Sequence, residues 1–117
     1  MGGANVTGIT THVLDTSRGV PAEGVDVSLS IFEGDDWREI ARVRTDVNGR
    51  AQAVPEGGSA EAGTYRLRFE TGAWLAAQGV EVFHPWVEVT FDVRDPSRHH
   101  HIPLLLSPFG YTTYRGS

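Results

Sequence analysis

The sequence predicts an all-β protein, a sandwich or barrel of about eight short strands with one brief helix. Three observations carry this. Apolar residues recur at every second position in short runs that are evenly spaced along the chain. Clusters rich in Gly, Pro, Asn and Asp separate the runs. The run His99–Ser107 is apolar on both of its faces, which is the mark of a strand covered on both sides.

Taken in order, residues 9–15 read as a first strand, with Ile9, Thr11 and Val13 on one face and Thr10, His12 and Leu14 on the other. Residues 17–24 have the Gly, Pro and Ser density of a loop. Val25, Val27, Leu29 and Ile31 then alternate with Asp26, Ser28 and Ser30 as a half-buried strand. Gly34-Asp35-Asp36 turns the chain into a third strand over residues 37–45. Asn48-Gly49 reads as a type I′ hairpin turn, with positive φ expected at both central positions. That turn puts Arg50 first in the returning strand, which ends near Pro55.

Gly57-Gly58-Ser59-Ala60 reads as a flexible loop. Over residues 63–70, Tyr65, Leu67 and Phe69 point inward and the charges outward. Thr71 is placed to cap a short helix through Trp74, Leu75, Ala76 and Ala77, with Gly79 as its stop. After His84-Pro85, Val87, Val89, Phe91 and Val93 alternate with Glu88, Thr90 and Asp92. Asp95-Pro96-Ser97 turns into the histidine strand, and Ser107-Pro108-Phe109-Gly110 turns out of it into the last one.

In the histidine strand Ile102, Leu104 and Leu106 face one way, and His99, His101, Pro103 and Leu105 the other. Imidazoles mixed with apolar side chains call for a cover other than water. In a chain this short a second subunit supplies it most easily, so the reading is an oligomer with histidines at a subunit interface.

The 117 residues suit one domain, taken as 9–117 after a flexible segment at 1–8. There is no cysteine, which excludes disulfides, thiolate catalysis and a cysteine zinc site. Neither a signal peptide nor a run long enough to cross a bilayer is visible, and the ending Arg-Gly-Ser is not a Ser-Lys-Leu address. A net charge of −5 argues against a nucleic-acid binder. The expectation is a cytoplasmic protein without nucleic-acid or membrane partners.

Three adjacent histidines, His99, His100 and His101, are the first candidates for chemistry. His100 reads as solvated. His101 shares its face with Pro103 and Leu105, and an imidazole with an ordinary pKa of roughly 6.5 suits acid–base work at neutral pH; a structural, hydrogen-bonded histidine is the competing reading. His12 lies opposite Val13 and so points away from the core. Arg50, at a strand end, has a planar donor set suited to a heterocycle with carbonyl oxygens, against the plain alternative of a solvated charge. Tyr114-Arg115-Gly116-Ser117 closes the chain, where the default for a terminal residue is fraying.

Thr11-His12-Val13-Leu14-Asp15, Arg44-Thr45-Asp46-Val47-Asn48-Gly49-Arg50, and His-x-His-Ile-Pro-Leu-Leu-Leu-Ser-Pro running to Tyr-Arg-Gly-Ser together resemble the 5-hydroxyisourate hydrolases, the transthyretin-related enzymes of urate breakdown. The resemblance spans Ile9 to Ser117, and the closing Tyr-Arg-Gly-Ser is its most specific mark, since the hormone-carrying transthyretins lack it. It implies a transthyretin-like (prealbumin-like) antiparallel two-sheet sandwich of eight strands with one short helix. It also implies a homotetramer, a dimer of dimers, whose central channel holds the active sites.

Carried across by motif, the resemblance implies catalytic His12, Arg50, His101 and Ser117. Tyr114 joins His12, Arg50 and Ser117 in substrate binding, His99 supports from behind, and no cofactor or metal is needed. His100 stands where relatives commonly have tyrosine. The implied reaction belongs to purine catabolism. It opens the cyclic amide of 5-hydroxyisourate to 2-oxo-4-hydroxy-4-carboxy-5-ureidoimidazoline, one imidazole taking a proton from water while Arg50 holds the developing oxyanion.

Three rivals stand beside this reading. One is a non-catalytic transthyretin-like carrier of small molecules. Another is a surface sandwich of the carboxypeptidase-regulatory sort, which residues 12–70 alone would satisfy. The third is a zinc hydrolase using His12, His99 and His101 with an open fourth position, ranked below the metal-free reading because no acidic partner for the histidines is evident.

Overall fold

The computed structural model describes residues 8–55, 58 and 60–117. Its elements in chain order are β1 (Gly8–Asp15), β2 (Val20–Pro21), β3 (Asp26–Glu33), β4 (Asp36–Arg44), β5 (Arg50–Val54), β6 (Gly63–Phe69), α1 (Thr71–Ala77), β7 (Val87–Val93), β8 (His99–Ser107) and β9 (Gly110–Thr113). The segment 1–8 expected to be flexible lies outside the described residues except for Gly8, which opens β1. Of the loop expected at 57–60, Gly57 and Ser59 likewise lie outside them.

Two sheets face each other. The first has the order β2-β1-β8-β9, with β5 also paired to β1; the second has the order β4-β3-β6-β7. Alternation decides what lies between them. Ile9 and Val13 from β1, and Ile102, Leu104 and Leu106 from β8, meet Val27, Leu29 and Ile31 from β3 and Tyr65, Leu67 and Phe69 from β6, all buried. The faces read from the sequence for β1, β3 and β6 are the faces observed, because a strand with one buried face has its register set by that face.

Pairing is antiparallel with one exception. β1 and β8 run parallel at the centre of the first sheet, with Thr10 opposite His101 and His12 opposite Pro103. The two-residue strand β2 sits inside the stretch read as loop and pairs with the end of β1.

The Asn48-Gly49 turn departs from the hairpin expected. Gly49 has φ of 77°, but no residue other than glycine has positive φ among the described residues, so the turn is not type I′. Asp46 builds it instead. Its carbonyl accepts from Gly49 N–H, its side chain from Asn48 and Arg50 N–H, and its own N–H donates to Arg50 O. Nor does β5 fold back on β4. Gly49 O accepts Val13 N–H at 2.7 Å, and a Cβ on Gly49 would collide with Val13 O. The turn therefore backs onto β1, and β5 leaves it along the edge of the opposite sheet.

Helix α1 also differs in its start. Thr71 is its first residue, not its cap; Glu70 stands at the cap position without a side-chain bond, and the buried Thr71 Oγ1 has no partner. What fixes the entry is backbone contact, since Gly72 N–H donates to Pro85 O and leaves no room for a Cβ. The stop is as expected. Gly79, with φ of 74°, donates to Ala76 O while Val80 N–H reaches Leu75 O.

Candidate active site

The outer face of the first sheet gathers the predicted residues. Period two puts Thr10, His12 and Leu14 of β1 on that face, with His99, His101, Pro103 and Leu105 of β8 beside them through the parallel pairing. On the other side of β1, Arg50 pairs with His12 and Gln52 with Thr10. Residues some 90 positions apart in sequence thus meet through one central strand pair.

A cleft of about 210 Å3 opens here, lined by Thr10, Thr11, Arg50, Ala51, Gln52, His99, His101 and Ser117. Arg50, His99, His101 and Ser117 are therefore brought together as expected. His12 stands next to Arg50 in the register but does not line the cleft itself. It is near enough to act electrostatically on His101 and on Asp46.

The ring of His101 is held on several sides. Its Nδ1 is 2.8 Å from Thr10 Oγ1, and the same oxygen is 2.8 Å from His99 Nε2. Gly116 N–H donates to His101 O at 2.8 Å, and a Cβ on Gly116 would come within 2.5 Å of His101 Cδ2. Only glycine lets the tail lie this close. The contact pins the C-terminus, so Ser117 lines the cleft instead of fraying. Burial, followed by the charges of His99, Arg50 and His12, holds the pKa of His101 below the ordinary histidine value.

Arg50 forms no ion pair with a carboxylate among the described residues, and no Asp or Glu side chain lines the cleft. Its backbone N–H is spent on Asp46, and that bond is the main reason the Asp46 carboxyl lies below its usual pKa. An unpaired guanidinium can bind carbonyl oxygens, and the imidazole of His101, of reduced basicity, can accept a proton from water. Among the described residues no three His, Asp or Glu side chains converge as metal ligands, so His12, His99 and His101 do not form the donor set of the zinc alternative.

Two expected placements change. His100, read as solvated, is buried on the core face with Ile102 and Leu104, its Nδ1 bonded to Arg98 O at 2.9 Å. Burial first, then nearby Arg115, Arg98 and His99, holds its pKa down, against the opposing pull of the Arg98 carbonyl. Tyr114 lines a neighbouring cleft of about 220 Å3 that shares His101 but not Arg50. Thr10 and Gln52 belong to the cleft and were not singled out from the sequence. The signal for Thr10 was present, since it shares a strand face with His12.

Residues 9–116 match the model of the HIUase/Transthyretin family. A probable 5-hydroxyisourate hydrolase of Caenorhabditis elegans is 48% identical over 109 residues, 93% of this chain and 81% of that one. The solved 5-hydroxyisourate hydrolase of Klebsiella pneumoniae superposes with a TM-score of 0.81 at 42% identity, over 95% of this chain and all of that one. Sea bream transthyretin in complex with thyroxine gives a TM-score of 0.86 at 36% identity, over 92% and 93% of the two chains. The fold alone thus fits hydrolase and carrier equally well, and the cleft must separate them. On sequence and architecture together, the chain belongs to the HIUase/Transthyretin family.

Proposed function

We propose that this chain is a hydrolase acting on 5-hydroxyisourate, opening its cyclic amide by attack of water. The observation that carries the reading is a free guanidinium and a held imidazole in one small cleft without a carboxylate side chain. Hydrolases of this substrate among the relatives support it. His101 takes the proton from water at Nε2, because its Nδ1 is engaged by Thr10. Its lowered pKa keeps it unprotonated at neutral pH and so able to act as a base. Arg50 binds the substrate's carbonyl oxygen and stabilises the oxyanion, a donor role worth about 3–4 kcal/mol in comparable sites.

His12, beside Arg50, orients water or protonates the leaving nitrogen. Ser117 closes the cleft through its hydroxyl or terminal carboxylate, and Tyr114 reaches substrate from the adjoining cleft. The working form in this proposal is a homotetramer, a dimer of dimers in the cytoplasm. Its support is the outer face of the first sheet, where Leu14 and Leu105 are half-buried and Pro103 buried beside the histidines. A second subunit on that face would complete the pocket. No helix among the described residues is long and apolar enough to cross a membrane.

The test generates 5-hydroxyisourate with urate oxidase and follows its ultraviolet decay. Acceleration over the spontaneous rate is expected, from a protein whose light-scattering mass is four times that of the chain. Decay at the spontaneous rate would put the carrier reading first, in line with the likeness to sea bream transthyretin.

A further inference from the structure

Thr10 stands between two imidazoles, with Oγ1 2.8 Å from His99 Nε2 and 2.8 Å from His101 Nδ1. A threonine hydroxyl has one proton to donate. It can give that proton to one ring only, so at least one ring must donate its own N–H to Oγ1. When the hydroxyl proton is used within the triad, the two bonds run head to tail, one ring giving and the other accepting.

We propose that Thr10 is a positioning residue that joins His101 to His99 as a proton relay. This rests on the hydrolase reading and adds to it where the proton from water goes. In the starting arrangement His101 Nδ1–H donates to Thr10 Oγ1, and Thr10 O–H donates to His99 Nε2, leaving His101 Nε2 bare. As water attacks, its O–H bond breaks and the proton bonds to His101 Nε2, while the hydroxide oxygen bonds to the substrate's carbonyl carbon. The Nδ1 proton then passes to Thr10 Oγ1, and the threonine's own proton passes to His99 Nε2. His101 ends neutral, protonated at Nε2, and the positive charge rests on His99.

The surroundings favour that transfer. A charge left on His101 is disfavoured by withdrawal from water, by Arg50 from β5 and by His12 from β1 when protonated, while His99, neutral at the start, is free to take it. Ser117 of the tail also lines the cleft. Gly116, packed against Cδ2, keeps the ring from swinging Nδ1 away from Thr10. With its proton at Nε2, His101 is also set to act as the acid when the ring nitrogen leaves.

The test uses the full chain with Thr10→Val, Thr10→Ser and His99→Asn. For Thr10→Val kcat is expected to fall about 10–100-fold with KM nearly unchanged and the acidic limb of the pH profile displaced. Thr10→Ser should restore most of the rate and the profile. His99→Asn should match Thr10→Val, and the double variant should be no worse than either single one.

Wild-type kcat and pH profile in Thr10→Val, equal impairment in Thr10→Ser, or multiplying losses in the double variant would each overturn the relay. A readout independent of turnover is the ring-nitrogen NMR of 15N-histidine-labelled protein. His101 is expected as the Nδ1–H tautomer in wild type and released from it in Thr10→Val. If wild type fails to accelerate 5-hydroxyisourate decay, the hydrolase reading fails, while the NMR still decides the geometry of the triad.

Discussion

The two outer faces of this sandwich treat the same side chain in opposite ways. All ten positions of the Lys or Arg class are arginine. On the outer face and edges of the β4-β3-β6-β7 sheet, Arg38, Arg42, Arg44, Arg66 and Arg68 each lie within 4 Å of a carboxylate, from Glu33, Glu39, Asp26, Glu88 and Glu70. Arg66 also stacks on Trp37, and Arg68 on Trp86. On the face of the other sheet, Arg50 has imidazoles for neighbours and no carboxylate partner among the described residues. The first arrangement neutralises charge in place. The second holds positive potential over a cleft with no Asp or Glu in its lining, where a ligand or a reacting oxygen can answer it.

The sharpest way to break this comparison is to disarm the unpaired face. His101→Asn should lower kcat about 10²–10⁴-fold, the usual reach of a lost general base. Arg50→Lys keeps the charge but loses the planar fork, and should lower kcat/KM about 10²–10³-fold. Neither side chain is part of the core, so the unfolding midpoint and the light-scattering mass should stay near wild type. Full activity in either variant would mean that the unpaired face is not the reacting one.

How far the sequence shows all this depends on the range of the interaction. Period two is local, so the inward faces of β1, β3 and β6 and the outward set Thr10, His12, His99 and His101 are legible residue by residue. The parallel pairing of β1 with β8 joins segments some 90 residues apart, and nothing local announces it. Thr10 looks like any strand threonine until that pairing sets it between two rings. The Asn48-Gly49 turn misleads because its glycine answers to Val13 on another strand, which no turn rule contains. His100 was open to better reading: parity with Ile102 and Leu104 puts it inside, and the Arg98 carbonyl makes that burial tolerable.

An intermediate effect comes from pH. His100 and His101 are both held below the ordinary histidine pKa, with burial the first cause in each. For a base whose folded pKa is depressed, the unfolded chain binds the proton first. Their contribution is complete above the unfolded value near 6.5 and is lost as pH falls through it toward the lower folded values. Urea midpoints at fixed protein concentration should therefore drop between pH 7.5 and pH 5.5. The drop should shrink in His100→Tyr, which removes one of the two groups. Asp46 and Asp95 are held below their usual values by hydrogen bonds, so their losses belong to more acidic solution and do not blur this window. A midpoint that is flat across it would show that neither imidazole loses contact with water on folding.

The smallest effect is expected where arginine is paired. Arg68 lies between Glu70, at 2.7 Å, and Glu88, at 3.7 Å, and stacks 4.1 Å from the centroid of Trp86. The hydrogen bond to Glu70 is the main cause of its raised pKa, but a guanidinium is charged at every working pH, so the shift does not alter its state. More than a third of the side chain is exposed, where ion pairs and cation–π contacts are each worth at most about 1 kcal/mol and are screened by salt. Arg68→Met keeps apolar contact with the indole and removes the charge. It should shift the unfolding midpoint slightly, by an amount that diminishes further in high salt, and leave kcat and KM unchanged. Should Arg68→Met instead impair turnover as Arg50→Lys does, the paired face would also serve the reaction, and the division of labour between the two sheets would not hold.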